Sequence, residues 1–479
     1  MPTVRGRVWD RASGRPLEAR VSVQASTGLF CAPADATLKV GPGDPFFYCD
    51  GTFAVEVLRG ATDIVVERGT EYRPLRLTLI LPANGAIDVD LPLERWISLP
   101  EQGWYAGNTH VHYDEKETRP LDRLRLDPRV EDLPVLVVSV LNRGRLQYAS
   151  NAFPIGRHPI STHDHVVDIG EESRHNDETW RIGLGHIMLI NIPQVVEPIS
   201  RGLLVDEASP DYPPLVDACA ETRAKGGLVL WCHNGNGMEA PIAAALGRLD
   251  GINLFDPYWM DPEYDVWYRL LNCGFQLPAS TGSDWYLCSS NRVYVDVGTS
   301  FTYEAWLDGL RDGRTFVTDG PVLTLTVAGY PPSNGWLDVG AAIRAVPLSV
   351  DWNYATPIDR IEIIRDGAVA ATFDNADGAI AGSFSLDVDI EGVGWLAARC
   401  WGHRRNSYGH ALWAHTSPVY LRRQSNPAIV RESAQYFVER IAEAQSWLTT
   451  RARFDDDAQR NRMLELFAAG RTSYERLAR

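Results

Sequence analysis

The feature that most constrains the fold is an alternation of apolar runs and helix-like stretches between residues 99 and 320. The apolar runs have the length of strands and cover residues 134–141, 165–170, 186–192, 227–232, 252–255 and 275–281. Segments with apolar residues at helical spacing separate or follow the later runs: "PPLVDACAETRAKG", "MEAPIAAALGRLDG", "PEYDVWYRLLNCG" and "TYEAWLDGLRDG". This alternation predicts a parallel sheet, open or closed into a barrel, with both faces of its strands buried.

The flanking segments instead alternate apolar and polar residues, which is the pattern of half-buried strands. Residues 1–98 contain "VRGRVWD", "ARVSVQA" and "LRLTLIL", and residues 321–422 contain "VLTLTVAG" and "RIEIIRDG". Each segment predicts a β-sandwich. Residues 423–479 have a helical pattern, and we expect their apolar residues to pack on the preceding region. The predicted fold class is therefore multidomain α/β plus all-β, with an α/β region at 99–320.

Composition excludes several classes of partner. The formal net charge of −16 argues against nucleic acid and against an anionic membrane surface. No apolar run approaches the length of a membrane span, and the N-terminal residues lack the apolar region of a signal peptide. Seven scattered cysteines without a CxxC pair indicate reduced thiols. We expect a cytoplasmic protein with a small-molecule substrate, and a homo-oligomer remains open.

Metal-binding residue types collect at the predicted strand ends. Eight of the eleven histidines fall between residues 110 and 233, and the motif "GNTHVHYD" places two of them two residues apart. Residues i and i+2 of a strand face the same side, and the carboxyl ends of parallel strands meet at one edge. Imidazole mixed with carboxylate suits Zn²⁺, Mn²⁺ or Fe²⁺ better than Mg²⁺ or Ca²⁺. The candidates are His110, His112, Glu171 or Glu172, His186, His233 and Asp284.

Each motif also has an ordinary structural interpretation. An HxH pair is common in strands, "GSD" is more often a turn with a helix-capping aspartate, and "GEE" is usually a solvated turn. His158, His163, His165 and His175 are expected mainly at the surface or behind the ligands. The metal-site interpretation depends on all the motifs occurring together, at the ends of successive strands of one region.

The order of these motifs resembles the CehA/McbA family of metallohydrolases, which belongs to the PHP (polymerase and histidinol phosphatase) superfamily. The resemblance covers roughly residues 100–321, and its motifs are "GWYAGNTHVHY", "GEESRH", "GHIMLIN", "LWCHNG", "STGSDWY" and "LRDGRTFVTDGP". The N-terminal pattern "GRPLEARV" resembles the transthyretin-like fold of carboxypeptidase regulatory domains. The resemblance implies a central distorted (β/α)7 PHP-type barrel at 99–320. Around it we expect β-sandwiches at 1–98 and 321–422 and a helical tail at 423–479.

The resemblance also implies a set of metal ligands. At two places, however, this chain departs from the family pattern. The implied metal ligands are His110, His112, Glu172 (with Glu171 as the competing choice), His186, His233 and Asp284. Leu141 and Asn142 stand where the family carries an Asp-His pair, and Tyr286 stands where it often has a histidine. We therefore expect one firm divalent ion, Zn or Mn with Fe as a further choice, and a weaker second site at His186 and His233. A metal-free, inactive relative is the alternative.

The expected reaction is hydrolysis by a metal-activated water. Asp284 is the expected general base, and the candidates for stabilising the oxyanion are His233, Tyr286, Arg174 and Arg292. Arg174 is an equally good candidate for a structural partner of the two glutamates. We expect an ester, carbamate or amide of an aromatic small molecule as substrate. The alternatives are a phosphoesterase, for which Arg143 and Arg145 would supply cations, and a non-catalytic binding protein.

Overall fold

The structure is a computed structural model of the 479-residue chain. It describes residues 1–113, 117–141, 153–177, 182–197, 200–203, 206–255, 262–284, 288–340, 342–423 and 425–479. Within these ranges strands and helices are mixed, so the mixed α/β class is confirmed. The seven cysteines all lie within these ranges and form no disulfide bond with one another. None of the described helices combines the length and the apolar character needed to cross a bilayer.

The N-terminal segment consists of strands. They are β1 Thr3–Asp10, β2 Glu18–Ala25, β3 Phe30–Cys31, β4 Phe47–Asp50, β5 Thr52–Glu56, β6 Gly60–Glu67, β7 Tyr72–Arg73, β8 Leu75–Leu81 and β9 Ala86–Arg95. One sheet has the order β5-β1-β9-β7, and a second has the order β3-β2-β6-β8 with β4 beside β2. The apolar residues of both sheets form one cluster, because alternate residues of each strand point inwards.

The central region alternates strands and helices as the sequence predicts. Its elements are β10 Trp104–Val111, α1 Pro120–Val130, β11 Val135–Val140, β12 Gly156–Arg157, β13 Val166–Asn176, β14 Gly185–Ile190, β15 Ser200–Gly202, α2 Leu215–Ala224, β16 Leu228–Trp231, α3 Ala240–Ala245, β17 Gly251–Asn253, α4 Asp265–Asn272, β18 Ala279–Ser280, β19 Arg292–Asp296, α5 Tyr303–Arg311 and β20 Thr315–Thr318. Helix α1 was not predicted, because its arginines, aspartates and Pro128 obscure the helical pattern.

These strands form a curled sheet. β10 pairs in parallel with β11, β11 with β13, β16 with β17 and β17 with β18. The residues after β18 return to β10, where the backbone N–H groups of Ser283 and Asp284 donate to His110 O at 2.8 and 2.7 Å. On its other edge β10 pairs antiparallel with β19. The two ends of the curled sheet therefore both contact β10.

Strand β14 contradicts the prediction that all strands run parallel. It pairs antiparallel with both β13 and β16. Only residues 177–184 connect β13 to β14, and this is too short for the crossover that a parallel pair needs. Strand β13 also runs to Asn176, beyond the predicted end at residue 170. Glu171 and Glu172 therefore lie within a strand, whereas we expected them at its end.

The C-terminal β segment joins the central sheet. Its strands are β21 Val322–Val327, β22 Ser333–Leu337, β23 Ala345–Asn353, β24 Arg360–Arg365, β25 Ala368–Asp374, β26 Ala381–Asp389, β27 Trp395–Arg405, β28 Ala411–Thr416 and β29 Val419–Leu421. β21, β23 and β26 form a separate sheet that shares a hydrophobic cluster with β24 and β27. β20 pairs antiparallel with β28. Sheet hydrogen bonds therefore cross the predicted boundary at residue 320.

Two long helices end the chain: α6 Pro427–Thr450 and α7 Asp457–Ala478. They pack on the central region, because their apolar residues belong to the same hydrophobic cluster as α2, α3 and α4. The hydroxyl of Tyr474 donates to Pro241 O at 2.8 Å. Of the residues expected in this contact, Phe437, Ile441, Trp447 and Met463 are buried and Leu466 is partly buried.

Candidate metal centre

His110 and His112 lie at the end of β10 and turn their rings to the same side. Their Nε2 atoms are 3.1 Å apart. Nδ1 of His112 lies 3.1 Å from Ser139 O, a carbonyl group that can only accept a hydrogen bond. This contact places the proton of His112 on Nδ1 and leaves the Nε2 lone pair directed at the cluster.

Two carboxylates complete the cluster. Oε2 of Glu172 lies 3.0 Å from His112 Nε2 and 3.8 Å from His110 Nε2. Oδ1 of Asp284 lies 3.3 and 3.4 Å from the same two nitrogens. Ligand atoms that surround one ion tetrahedrally at 2.0–2.1 Å are roughly 3.4 Å from one another. The four side chains are thus spaced as the ligands of one ion, and they could hold a metal ion.

The surroundings of the Glu172 and Asp284 carboxylates are those expected of groups that bind a cation. Glu172 and Asp284 are 0% and 2% exposed. Both oxygens of Glu172 and Oδ1 of Asp284 have no hydrogen bond within the described residues, since the imidazole contacts lack hydrogen-bond geometry. A buried carboxylate without hydrogen bonds is strongly unfavourable unless a positive charge compensates it. A cation at the centre of the four side chains would remove this deficit.

The backbone brings Asp284 to the histidines through a glycine. A Cβ atom on Gly282 would lie 2.3 Å from His110 Cβ and 2.6 Å from His110 N. Asp284 itself has a φ of 54°, in the left-handed region that aspartate tolerates only at a cost. The "GSD" motif therefore needs its glycine for close approach, and its aspartate is held in a strained conformation by the contacts around it.

A second group shares Glu172. Its other oxygen, Oε1, lies 3.0 Å from His186 Nδ1 and 3.9 Å from His233 Nε2. The two histidine nitrogens are 2.7 Å apart. His186 Nε2 contacts Asn176 Oδ1 at 2.7 Å, so it carries the proton and the Nδ1 lone pair faces Glu172. Glu172, His186 and His233 therefore form a second group that could hold a metal ion, with Glu172 common to both.

His233 reaches the site from a tight turn after β16. His233 and Asn234 both have positive φ, 54° and 60°. The turn is held by Asn234 Oδ1, which accepts from Phe255 N at 2.6 Å, and by Asn236 Nδ2, which donates to His233 O at 2.8 Å. As at Asp284, strained backbone coincides with a candidate ligand, a combination that is typical of functional sites.

The electrostatics keep the carboxylates ionised. Burial opposes ionisation of Glu172, but Arg174 and the imidazoles of His110, His112 and His186 outweigh it and hold the pKa of its carboxyl well below its usual range. Burial likewise opposes ionisation of Asp284, and the neighbouring imidazoles, led by His110, lower its pKa to about 2. Both carboxylates are therefore anionic at neutral pH, as metal ligands must be.

Burial and the neighbouring carboxylates shift the pKa values of His186 and His112 in opposite directions. Burial lowers the pKa of His186 to about 3 in spite of its contact with Glu172. For His112, burial also favours the neutral ring, but Asp284 and Glu172 outweigh it and raise the pKa. His186 is therefore neutral at physiological pH, whereas His112 releases a proton more readily once a cation compensates the two carboxylates.

The alternative ligand Glu171 points away from the cluster. Adjacent strand residues face opposite sides, and Oε2 of Glu171 accepts a hydrogen bond from Val196 N at 2.7 Å. Burial raises its pKa to about 8. The structure therefore places Glu172 in the cluster and leaves Glu171 on the opposite face of the sheet.

The other predicted groups have different positions. Arg174 Nη1 lies 3.9 Å from Glu172 Oε2, as expected of a partner to the glutamate. Arg292 donates to Glu131 O and Ser290 O, both at 2.8 Å, which argues against its predicted role at the oxyanion. His175 contacts Asp211 and accepts from Leu184 N, so it is structural. The predictions for Tyr286, Asn142, Arg143 and Arg145 fall outside the described residues.

Sequence reasoning missed the groups that orient the histidines. Asn176 directly follows the motif "GEESRH", and the carbonyl of Ser139 carries no side-chain signal. Strand pairing places both beside the histidines, since Asn176 ends β13 and Ser139 lies in β11. A longer β13 in the prediction would have found Asn176.

The comparisons with known proteins add no relative. No protein-family model matches the chain, and no curated protein matches it significantly. The function of the chain must therefore be inferred from the residues of the cluster and from their geometry.

Proposed function

We propose that the chain is a metal-dependent hydrolase of the CehA/McbA type. The observation that carries the proposal is the buried cluster of His110, His112, Glu172 and Asp284, in which both oxygens of Glu172 and Oδ1 of Asp284 have no hydrogen bond to a described residue. Two imidazoles and two carboxylates suit Zn²⁺ or Mn²⁺, and Fe²⁺ is compatible with the same set. The group formed by Glu172, His186 and His233 is proposed as the weaker second site.

The strand arrangement supports a PHP-type (β/α)7 barrel. The order β10, β11, β13, β14, β16, β17, β18 returns to β10 through hydrogen bonds from residues 283 and 284. The antiparallel β14 is a distortion of a regular barrel. His110, His112, His233 and Asp284 lie at or shortly after the ends of strands, His186 lies at the start of the antiparallel β14, and Glu172 lies within β13.

The proposed chemistry divides the roles among the chain's residues. His110, His112, Glu172 and Asp284 would hold the divalent ion, which would supply a water whose pKa is lowered from about 15.7 towards 7. Asp284 is ionised at neutral pH and is assigned to accept a proton from water and return it to the leaving group. His233 and Arg174 are assigned to stabilise negative charge that develops on the substrate, together with Tyr286.

The proposed substrate is an ester, carbamate or amide of an aromatic small molecule. This choice depends on the family resemblance and on the aromatic residues that follow the strands. Two of those aromatics serve packing, because the indole N–H of Trp231 donates to Asn236 O and that of Trp267 donates to Leu277 O. A phosphoesterase is the second candidate, because the Arg174 guanidinium lies beside Glu172 at the edge of the cluster.

Metal analysis combined with a substrate screen tests the proposal. The purified protein should contain Zn, Mn or Fe, and should hydrolyse members of a panel of aryl esters, aryl carbamates and aryl phosphates. His110→Ala and Asp284→Ala should lose both metal and activity. His163→Ala, at a histidine whose side chain is 87% exposed, is the matched control and should keep both. A protein that binds no metal, with no activity on any of the three classes, would refute the proposal and favour a binding protein.

A further inference from the structure

A cavity lies where strands of the N-terminal, central and C-terminal regions meet. Its volume is about 650 Å³. Cavities of 300–1,000 Å³ typically hold small organic ligands. The walls include Arg73 and Arg76 from the N-terminal strands, Ser290 and Asp319 from the central region, and residues 404–407 from the C-terminal sheet. The cavity is therefore large enough for a small molecule, and different parts of the chain form its walls.

The charge of this cavity is opposite to that of the chain. The whole chain carries a formal net charge of −16. The carboxylates among the lining residues are Glu67 and Asp319, whereas the arginines are Arg20, Arg73, Arg76, Arg404 and Arg405. A concave surface lined by one sign of charge concentrates ions of the opposite sign.

Part of this charge is already compensated. Arg20 is buried, pairs with Glu131 and lies 2.9 Å from Glu67 Oε2. Asp319 contacts His410 Nδ1 at 2.9 Å and also accepts from Asn406 Nδ2 at 2.9 Å. Arg20, Glu67 and Asp319 are therefore structural, and the ligand-binding capacity must come from the other arginines.

The other arginines are exposed and weakly paired. Arg73 lies 4.0 Å from Glu94 and Arg76 lies 3.7 Å from Glu67, with side chains that are 42% and 63% exposed. Arg405 donates to the neutral carbonyl of Gly409 at 2.6 Å. The exposed side chain of Arg404 has no hydrogen bond or close ion pair among the described residues, and Asp359 is a carboxylate on which its charge acts. Exposed pairs of this kind contribute little, so most of the positive charge is available to a ligand.

We propose that this cavity binds a small polyanion with phosphate or carboxylate groups, at a site separate from the metal centre. Guanidinium groups bind both kinds of anion through paired N–H donors. Arg73 and Arg76 on one wall, with Arg404 and Arg405 on another, suit a molecule with negative groups at both ends. A nucleic-acid polymer does not suit the site, because the chain as a whole is acidic, with a formal net charge of −16.

Isothermal titration with pyrophosphate and with citrate tests the proposal on the intact protein. We expect one equivalent of at least one anion to bind, with an affinity that falls as NaCl is added. Tighter binding of pyrophosphate identifies phosphate groups as the preferred ligand, and tighter binding of citrate identifies carboxylates. The double variant Arg73→Gln/Arg404→Gln should weaken binding by about tenfold or more, the effect of losing charged hydrogen bonds.

The control variant removes the same charge elsewhere. Arg7→Gln/Arg344→Gln changes two exposed arginines that pair with Asp90 and Glu391, and it should leave binding unchanged. Equal weakening in both double variants, or unchanged binding in Arg73→Gln/Arg404→Gln, would place the anion outside this cavity and overturn the proposal. Absence of binding of either anion at millimolar concentration would also overturn it. Arg404→Gln alone, at an exposed side chain, provides the test if the double variant does not fold.

Discussion

Glu171 and Glu172 are neighbours in β13, yet their carboxyl groups have opposite environments. The pKa of Glu172 is held well below its usual range, since Arg174 and three imidazoles outweigh the effect of burial. The pKa of Glu171 is raised to about 8, because burial dominates over the hydrogen bond from Val196 N. The same residue type is thus an anion on one face of the strand and largely a neutral acid on the other.

This contrast predicts the effects of two matched substitutions. Glu172→Gln removes a ligand that both proposed metal groups share. It should weaken metal binding by more than about 100-fold, because losing a residue that only hydrogen-bonds to a ligand already costs about 10–100-fold. Glu171→Gln replaces a largely neutral carboxyl with a neutral amide and should keep the metal. Metal content after dialysis measures both. Equal loss in the two variants would show that the effect is structural and that Glu172 is not a ligand.

Gly282 provides a second test of the site. Gly282→Ala places a methyl group 2.3 Å from His110 Cβ, so either β10 or the "GSD" turn must move. We expect a loss of stability of about 2–3 kcal/mol, typical of overpacking, and loss of metal because His110 and Asp284 separate.

Gly335→Ala is the control for Gly282→Ala, since its nearest contact would be Ser333 Oγ at 3.5 Å. Urea unfolding should place this control within about 0.5 kcal/mol of the wild type. A Gly282→Ala protein that retains both stability and metal would show that the close approach to His110 is not required.

The sequence predicts much of the cluster because its motifs are local. The i, i+2 spacing of His110 and His112 follows from strand geometry alone. His233 directly follows one apolar run, and Asp284 lies three residues after another. The structure brings these residues together with Glu172 as the resemblance implied. Local spacing thus identified which side chains converge.

Features that depend on long-range pairing could not be predicted. The choice between Glu171 and Glu172 depends on which face of β13 turns inwards, and that is set by its pairing with β11 and β14. The antiparallel direction of β14 depends on the short connection before it. Arg292 is bound by Glu131 at the end of α1, a helix that its own sequence pattern does not reveal.

The C-terminal helices should contribute to the stability of the central region through Tyr474. Its side chain is fully buried, its ring lies 4.9 Å from that of Phe437, and its hydroxyl donates to Pro241 O. Tyr474→Phe should cost about 1 kcal/mol for the lost hydrogen bond. Tyr474→Ala should cost about 3–5 kcal/mol, because it leaves a cavity between the helices and the central region.

Urea unfolding measures both Tyr474 variants. Tyr330→Ala, at a side chain that is 59% exposed, is the control and should change stability by less than about 0.5 kcal/mol. If Tyr474→Ala were as stable as this control, the contact of Tyr474 with the central region would not contribute to stability.

The buried environment of His415 should make the stability of the protein depend on pH. The ring is buried, its Nδ1–H donates to Thr416 O at 2.7 Å, and its Nε2 accepts from the Tyr268 hydroxyl at 2.6 Å. Burial lowers its pKa to about 3, so between about pH 6.5 and 3 the unfolded chain binds a proton that the folded protein does not.

Stability should therefore fall as the pH is lowered through this window, with a contribution from His415 of up to about 1.4 kcal/mol per pH unit. His415→Gln removes that contribution, so the free energy of unfolding, measured in urea at several values between pH 4 and 7, should depend less steeply on pH than in the wild type. His163→Gln is the control for loss of an exposed imidazole. A slope that is the same in the wild type and in His415→Gln would mean that this ring is not held neutral by its surroundings, and the hydrogen bonds assigned to it would have to be revised.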